Sequence, residues 1–104
     1  MIEIEVKALN GLFDKSRGLM GQIPQPVHFK TRWGIHTFFM KEAIDVAILD
    51  EFFRVVRLKK NLNPNRIFVW NPKFESVIEL PKGWIDKKKI DIGSTISLSV
   101  FQGK

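Results

Sequence analysis

Residues 43–58 read AIDVAILDEFFRVVRL. Ile44, Val46 and Ile48 alternate with Asp45, Ala47 and Leu49, which is the two-residue period of a strand and not the 3.6-residue period of a helix. Asp50–Glu51 interrupts the run, and Val55 and Val56 resume it between Arg54 and Arg57. The stretch therefore predicts a β-hairpin with its turn near Asp50–Glu51. Asp45 is the discordant residue, because a carboxylate set in an apolar strand must face water or find partners.

The same signal extends outward in both directions. Upstream, IEIEVKAL (2–9) places Ile2, Ile4, Val6 and Ala8 on one side and Glu3, Glu5 and Lys7 on the other, a half-buried strand. Asn10–Gly11 ends it, and LFDKSRGLMG (12–21) predicts a short helix or turn held back by Gly18 and Gly21. The two prolines of QIPQPV (22–27) make a surface loop. VHFKT and GIHTFFM are short and rich in β-branched and aromatic residues. Downstream, NLNPN is a loop, RIFVW and FESVIEL are strands, WIDKKKIDIG is one helical turn followed by a tight turn at Gly93, and STISLSVF closes the chain as a strand. About seven or eight short strands with one or two short helices predict a mainly β protein, a compact antiparallel β-barrel or sandwich.

Composition bounds what such a fold could do. The 104 residues, 44% hydrophobic with 9 Phe and 3 Trp, suit a single domain over 1–104 with one modest core. With 0 Cys there is no disulfide, thiol nucleophile or thiolate metal site. The N-terminus MIEIEVKALNG has acids where a signal peptide carries bases, and no apolar run approaches the roughly 20 residues of a membrane helix. The expectation is a cytoplasmic protein with no membrane partner. The net charge of +6 lies wholly in the second half, since residues before Glu51 hold as many acids as bases. Arg54, Arg57, Lys59, Lys60 and Arg66 are its candidate polyanion or nucleic-acid contacts. A lysine-rich thermophile composition looks the same, and Arg54 and Lys60 fall on the opposite side of a strand from Arg57 and Lys59, which divides a phosphate stripe.

RGLMG (17–21), IHTFFMKEAIDVAILD (35–50), LNP (62–64) and VIELPKG (77–83) occur in an order that resembles the family known as domain of unknown function 192. The resemblance runs from about Ile4 to Leu98, and its most specific part is His36–Thr37 followed by Met40 and Ile44–Asp45–Val46. This chain has Glu42–Ala43 where family members usually carry an aromatic and a proline, lacks the usual glycine at Glu51, and has Ser94 after Gly93 where they tend to show aspartate. The resemblance implies a compact β-rich domain, found free in the cytoplasm and exported in other organisms, and it supplies no established activity.

Several polar residues stand out in apolar surroundings. In a strand over 34–40, His36 shares a face with Phe38 and Met40, and Thr37 shares the other with Ile35 and Phe39. A neutral imidazole there could bond a carboxylate such as Asp45 or Glu79 and pin two strands together. Arg17 is a plausible partner for those acids, so that Arg17, His36, Asp45 and Glu79 would form a buried network or the floor of a pocket. Trp33, beside Arg32 and Gly34, would line the cavity; a tryptophan next to arginine is also a stacking platform for bases or sugars. The leading functional expectation is a non-enzymatic binding or accessory module with a small-ligand pocket lined by Arg17, Trp33, His36, Thr37, Asp45 and Glu79. The alternatives are a hydrolase or lyase using His36 with Asp45 or Glu79, and polyanion binding through the basic half. No residue is assigned as catalytic, because no nucleophile elbow is present, and no cofactor or metal site is expected.

Overall fold

A computed structural model of the chain describes residues 1–8, 25–38 and 40–100. The central hairpin forms where residues 43–58 predict it. β4 (Ile44–Leu49) pairs antiparallel with β5 (Val55–Leu62), and Asp50 makes the turn: its Oδ1 accepts the N–H groups of Phe52 at 2.8 Å and Arg54 at 2.9 Å. All six residues of β4 are buried, so its two alternating rows feed two different cores. Ile44, Val46 and Ile48 pack with Val27, Phe29, Leu62, Phe68, Trp70 and Val77. Ala47 and Leu49 pack on the other side with Ile4, Val6, Val55, Ile78, Leu80, Ile85, Ile90 and Ile96.

Around β4 the described strands β1 (Ile2–Ala8), β2 (Val27–Lys30), β7 (Ser76–Pro81) and β8 (Ile96–Val100) complete a six-stranded sheet in the order β5-β4-β7-β2-β1-β8. The mainly β, sandwich-like architecture is as expected, with one departure from the antiparallel pattern: β1 runs parallel to both β2 and β8. Alternation reports which face a residue occupies and carries nothing about strand direction. The sheet does not close by a ladder. Its outer strands meet at one end only, through a bridge between Arg54 and Thr95 and the bonds Val55 N–H to Ser94 O (2.8 Å) and Ile96 N–H to Phe53 O (2.9 Å).

A second, two-stranded ribbon of β3 (Gly34–His36) and β6 (Ile67–Val69) covers the first core, and one helical turn, α1 (Trp84–Lys87), inserts Ile85 into the second. No described helix is long and apolar enough to cross a membrane. Asp45 explains how α1 is fixed. Its Oδ2 accepts the N–H groups of Gly83 (3.1 Å) and Ile85 (2.9 Å), and its Oδ1 accepts that of Asn61 (3.1 Å). Gly83 takes φ 89° and Asn61 φ 56°, left-handed conformations that glycine and asparagine tolerate best. One buried carboxylate thus satisfies backbone donors of a bulged strand and of the helix start at once.

Candidate functional site

The ribbon has an inner and an outer face. Trp70 N–H bonds Trp33 O (3.1 Å) and Thr37 N–H bonds Arg66 O (2.9 Å), which fixes the pairs Gly34–Val69, Ile35–Phe68 and His36–Ile67. Ile35, Phe68 and the neighbouring Trp70 turn inward onto the core. Gly34, His36, Ile67 and Val69 turn outward. A Cβ on Gly34 would lie 2.6 Å from Phe68 O and 2.9 Å from Val69 Cγ1, so Val69 leans directly across that glycine. The outer face is apolar and uncovered, with Ile67 66% and Val69 60% exposed, and Trp33, immediately before β3, is 70% exposed. His36 is exposed and stacks on Phe38, with ring centroids 4.9 Å apart and planes 25° from parallel, while its Nδ1 accepts the Phe38 N–H at 3.3 Å. Trp33 adopts φ 77°, a left-handed backbone that costs a bulky residue roughly 1–2 kcal/mol.

Guanidinium groups border this face. Arg57 and Lys59 pair with Ile48 and Val46, so they stand on the side of the sheet that carries the ribbon. Arg57 lies over the Phe68 ring at 5.0 Å and its Nη1 donates to Val69 O at 3.4 Å. Arg66 adjoins Ile67, with Nη1 bonded to Asn65 O at 3.3 Å. Neither arginine has a carboxylate partner among the described residues. Of the other basic candidates, Arg54 pairs with Asp50 at 3.1 Å and Lys60 with Asp86 at 2.6 Å, while Lys59 is exposed and has no carboxylate partner among the described residues.

The remaining predicted residues do not converge on His36. Thr37 is fully buried; its Oγ1 donates to Asn63 O (2.6 Å) and accepts from Arg66 N–H (2.9 Å), knotting the 63–66 loop to the ribbon. Asp45 pairs with Leu80 and faces the second core, whereas Glu79 pairs with Val46 and Val27 and faces the first. The two carboxylates are therefore on opposite faces of one sheet. His36 points to the solvent side of the ribbon, away from both, so the expected carboxylate–imidazole bond is replaced by the contact with Phe38. Burial alone pushes the Glu79 carboxyl up to about 7. Arg17, with the helix or turn expected over 12–21, lies outside the described residues. Among the described residues no group of three or more His, Asp or Glu side chains is placed to hold a metal.

The sequence profile of the family described as an uncharacterized ACR, DUF192, matches residues 2–98. The chain belongs to this family. A UPF0127 protein of Pyrococcus horikoshii is 34% identical over 101 residues, covering 90% of this chain and 87% of that one. A UPF0127 protein of Pyrococcus furiosus is 29% identical over 91% of this chain and 87% of its own length. The DUF192 fold also resembles the crystal structure of a protein of unknown function from Novosphingobium aromaticivorans, with TM-score 0.71 and 14% identity over 83% of this chain and 69% of that one. At that identity the likeness is one of fold.

Within this DUF192 chain, Ser94 Oγ accepts the Asp91 N–H at 3.0 Å, a bond a carboxylate would accept equally. Sequence reasoning missed the contribution of Ile67 and Val69, because an apolar alternation does not say which row is wet. It also missed His28, whose Nε2 lies 2.8 Å from Ser76 Oγ. Burial, and then the nearby Lys30 charge, push the His28 imidazole below its ordinary value. Ser76 borders a cavity of about 270 Å³ with Lys30, Leu49, Phe53 and Phe74. Trp84 borders another of about 310 Å³ with Ile4, Val6 and Pro26. Trp33 and His36 instead sit on the open ribbon surface.

Proposed function

We propose that the protein is a non-enzymatic, cytoplasmic binding module whose recognition surface is the outer face of the β3–β6 ribbon, centred on Trp33 and His36. One observation carries the reading: a tryptophan held 70% exposed at φ 77° beside an equally uncovered row of Ile67 and Val69. Each feature is unfavourable for an isolated surface, and strained residues and exposed apolar patches gather where ligands bind. The ribbon is also rigidly supported, since its inner face is core and Thr37 ties its end to the following loop.

An acid–base reaction at His36 finds no support in this arrangement, because each carboxylate offered as its partner faces a core on the far side of the ribbon. The test is backbone amide NMR with a panel of small aromatic fragments: indole, benzamide and adenine. The reading expects shifts clustered at Trp33, His36, Phe38, Ile67 and Val69, reduced by Ile67→Ser. Shifts clustered instead around Lys30, Phe53 and Ser76 would move the recognition site to the cavity and sink it.

A further inference from the structure

We infer that the ribbon face takes single-stranded nucleic acid, with bases stacked on Trp33 and on the His36–Phe38 pair and phosphates met by Arg57 and Arg66. This rests on the binding-module reading and names the ligand class of the same surface.

Three observations lead there. First, the face offers π surfaces at its two ends. Trp33 precedes β3, and His36 at its end stacks on Phe38, with Val69 and Ile67 exposed on the partner strand alongside. Every base has a π face, so such a platform binds strands without reading sequence. Second, Arg57, at Val69 O, and Arg66, next to Ile67, are guanidinium groups without carboxylate partners among the described residues, and guanidinium both stacks and pairs with phosphate. Third, five of the ten described acids are already paired or enclosed, and the exposed others, Glu3, Glu5, Glu42, Glu51 and Asp91, lie outside β3 and β6. Glu75 pairs with Arg32 at 3.5 Å, Asp50 with Arg54 and Asp86 with Lys60, while Asp45 and Glu79 are buried. The structure thus joins two sets of residues that are separate in the sequence, the Trp33–His36 group and the basic Arg57 and Arg66.

A duplex fits less well. Reading base edges in a groove needs projecting hydrogen-bond donors and acceptors, and the outward row of this ribbon is Gly34, His36, Ile67 and Val69.

The test is fluorescence anisotropy with labelled oligo-dT and oligo-rU of about 12 nucleotides, a duplex of the same length, and heparin as a base-free polyanion. Both single strands are expected to bind at low salt and to outcompete the duplex. Equal DNA and RNA affinity, or a preference for one of them, supports the inference, and a preference, such as one for RNA through its 2′-hydroxyl, identifies the source. Trp33→Asn, which keeps a residue tolerant of positive φ, is expected to weaken single-strand binding roughly 5- to 100-fold and to leave heparin binding unchanged. Phe38→Ala provides a second stacking variant. Arg66→Ala is expected to lower the slope of log affinity against log salt by about 0.7.

Absence of binding by both oligonucleotides at low salt overturns the inference, as does binding indifferent to both Trp33→Asn and Phe38→Ala. Displacement of the aromatic fragments from the same residues by an acidic peptide, with no effect of oligonucleotide, overturns it in favour of a peptide partner and leaves the module reading standing. Fragments that avoid the ribbon altogether would remove both.

Discussion

Glu79 should make the protein less stable as pH rises through neutrality. The residue is 4% exposed, between Val27 and Val46 on neighbouring strands, and its carboxyl is pushed from an ordinary 4.5 to about 7 by desolvation. The folded state therefore holds its proton more tightly than the unfolded chain does. Below about pH 4.5 both states are protonated and Glu79 exacts no penalty. Between 4.5 and about 7 the unfolded chain ionises while the folded one stays neutral, and stability falls with pH. At 1.36 kcal/mol per unit, the loss is roughly 3 kcal/mol once pH exceeds 7. Glu79→Gln keeps the shape and removes the titration. Urea denaturation of both proteins between pH 4.5 and 8, at constant slope, isolates the effect because other groups cancel in the difference. The variant should gain on the parent from pH 4.5 to about 7 and level off above it. A difference that stays flat between pH 4.5 and 7 would show that folding does not raise the proton affinity of Glu79, and would refute the reasoning.

Other residues give sharper local tests. Asp45→Ala strands the N–H groups of Asn61, Gly83 and Ile85 and should cost roughly 3–5 kcal/mol in chemical denaturation, with Asp45→Asn recovering only part, because an amide brings a donor to face donors. Thr37→Val removes the bonds to Asn63 O and Arg66 N–H and should cost roughly 1–3 kcal/mol, whereas Thr37→Ser keeps the oxygen and most of the stability. In Gly34→Ala the new methyl meets the Phe68 carbonyl at 2.6 Å, so amide exchange should accelerate in β3 and β6 while β4 and β7 stay protected.

The central hairpin was legible because alternation and a turn-forming aspartate agree over sixteen consecutive residues. The direction of β1 was not, since Ile2, Ile4 and Val6 alternate identically in parallel and antiparallel ladders. Asp45 announced itself as anomalous, yet its donors come from Asn61, Gly83 and Ile85, which are distant in sequence and meet only after β5 and α1 have packed. The expected network around His36 failed for a related reason. A two-residue period places residues on faces without saying which face is covered, and the ribbon turns His36, Ile67 and Val69 to solvent while Glu79 goes to the core. The placement of Arg66 beside Thr37, and of Arg57 at the edge of the strand that pairs with β3, depends on β3 pairing with β6, a long-range register that no local pattern encodes.

The most direct test of the account reads the three tryptophan indole resonances while the aromatic fragments are added. Trp33 is open on the ribbon, Trp70 donates its Nε1–H to Phe74 O at 2.8 Å, and Trp84 is half-buried at the α1 cavity. Movement of the Trp33 indole signal with Trp70 and Trp84 unchanged is the predicted result. A Trp33 signal that stays still while that of Trp84 moves would contradict it.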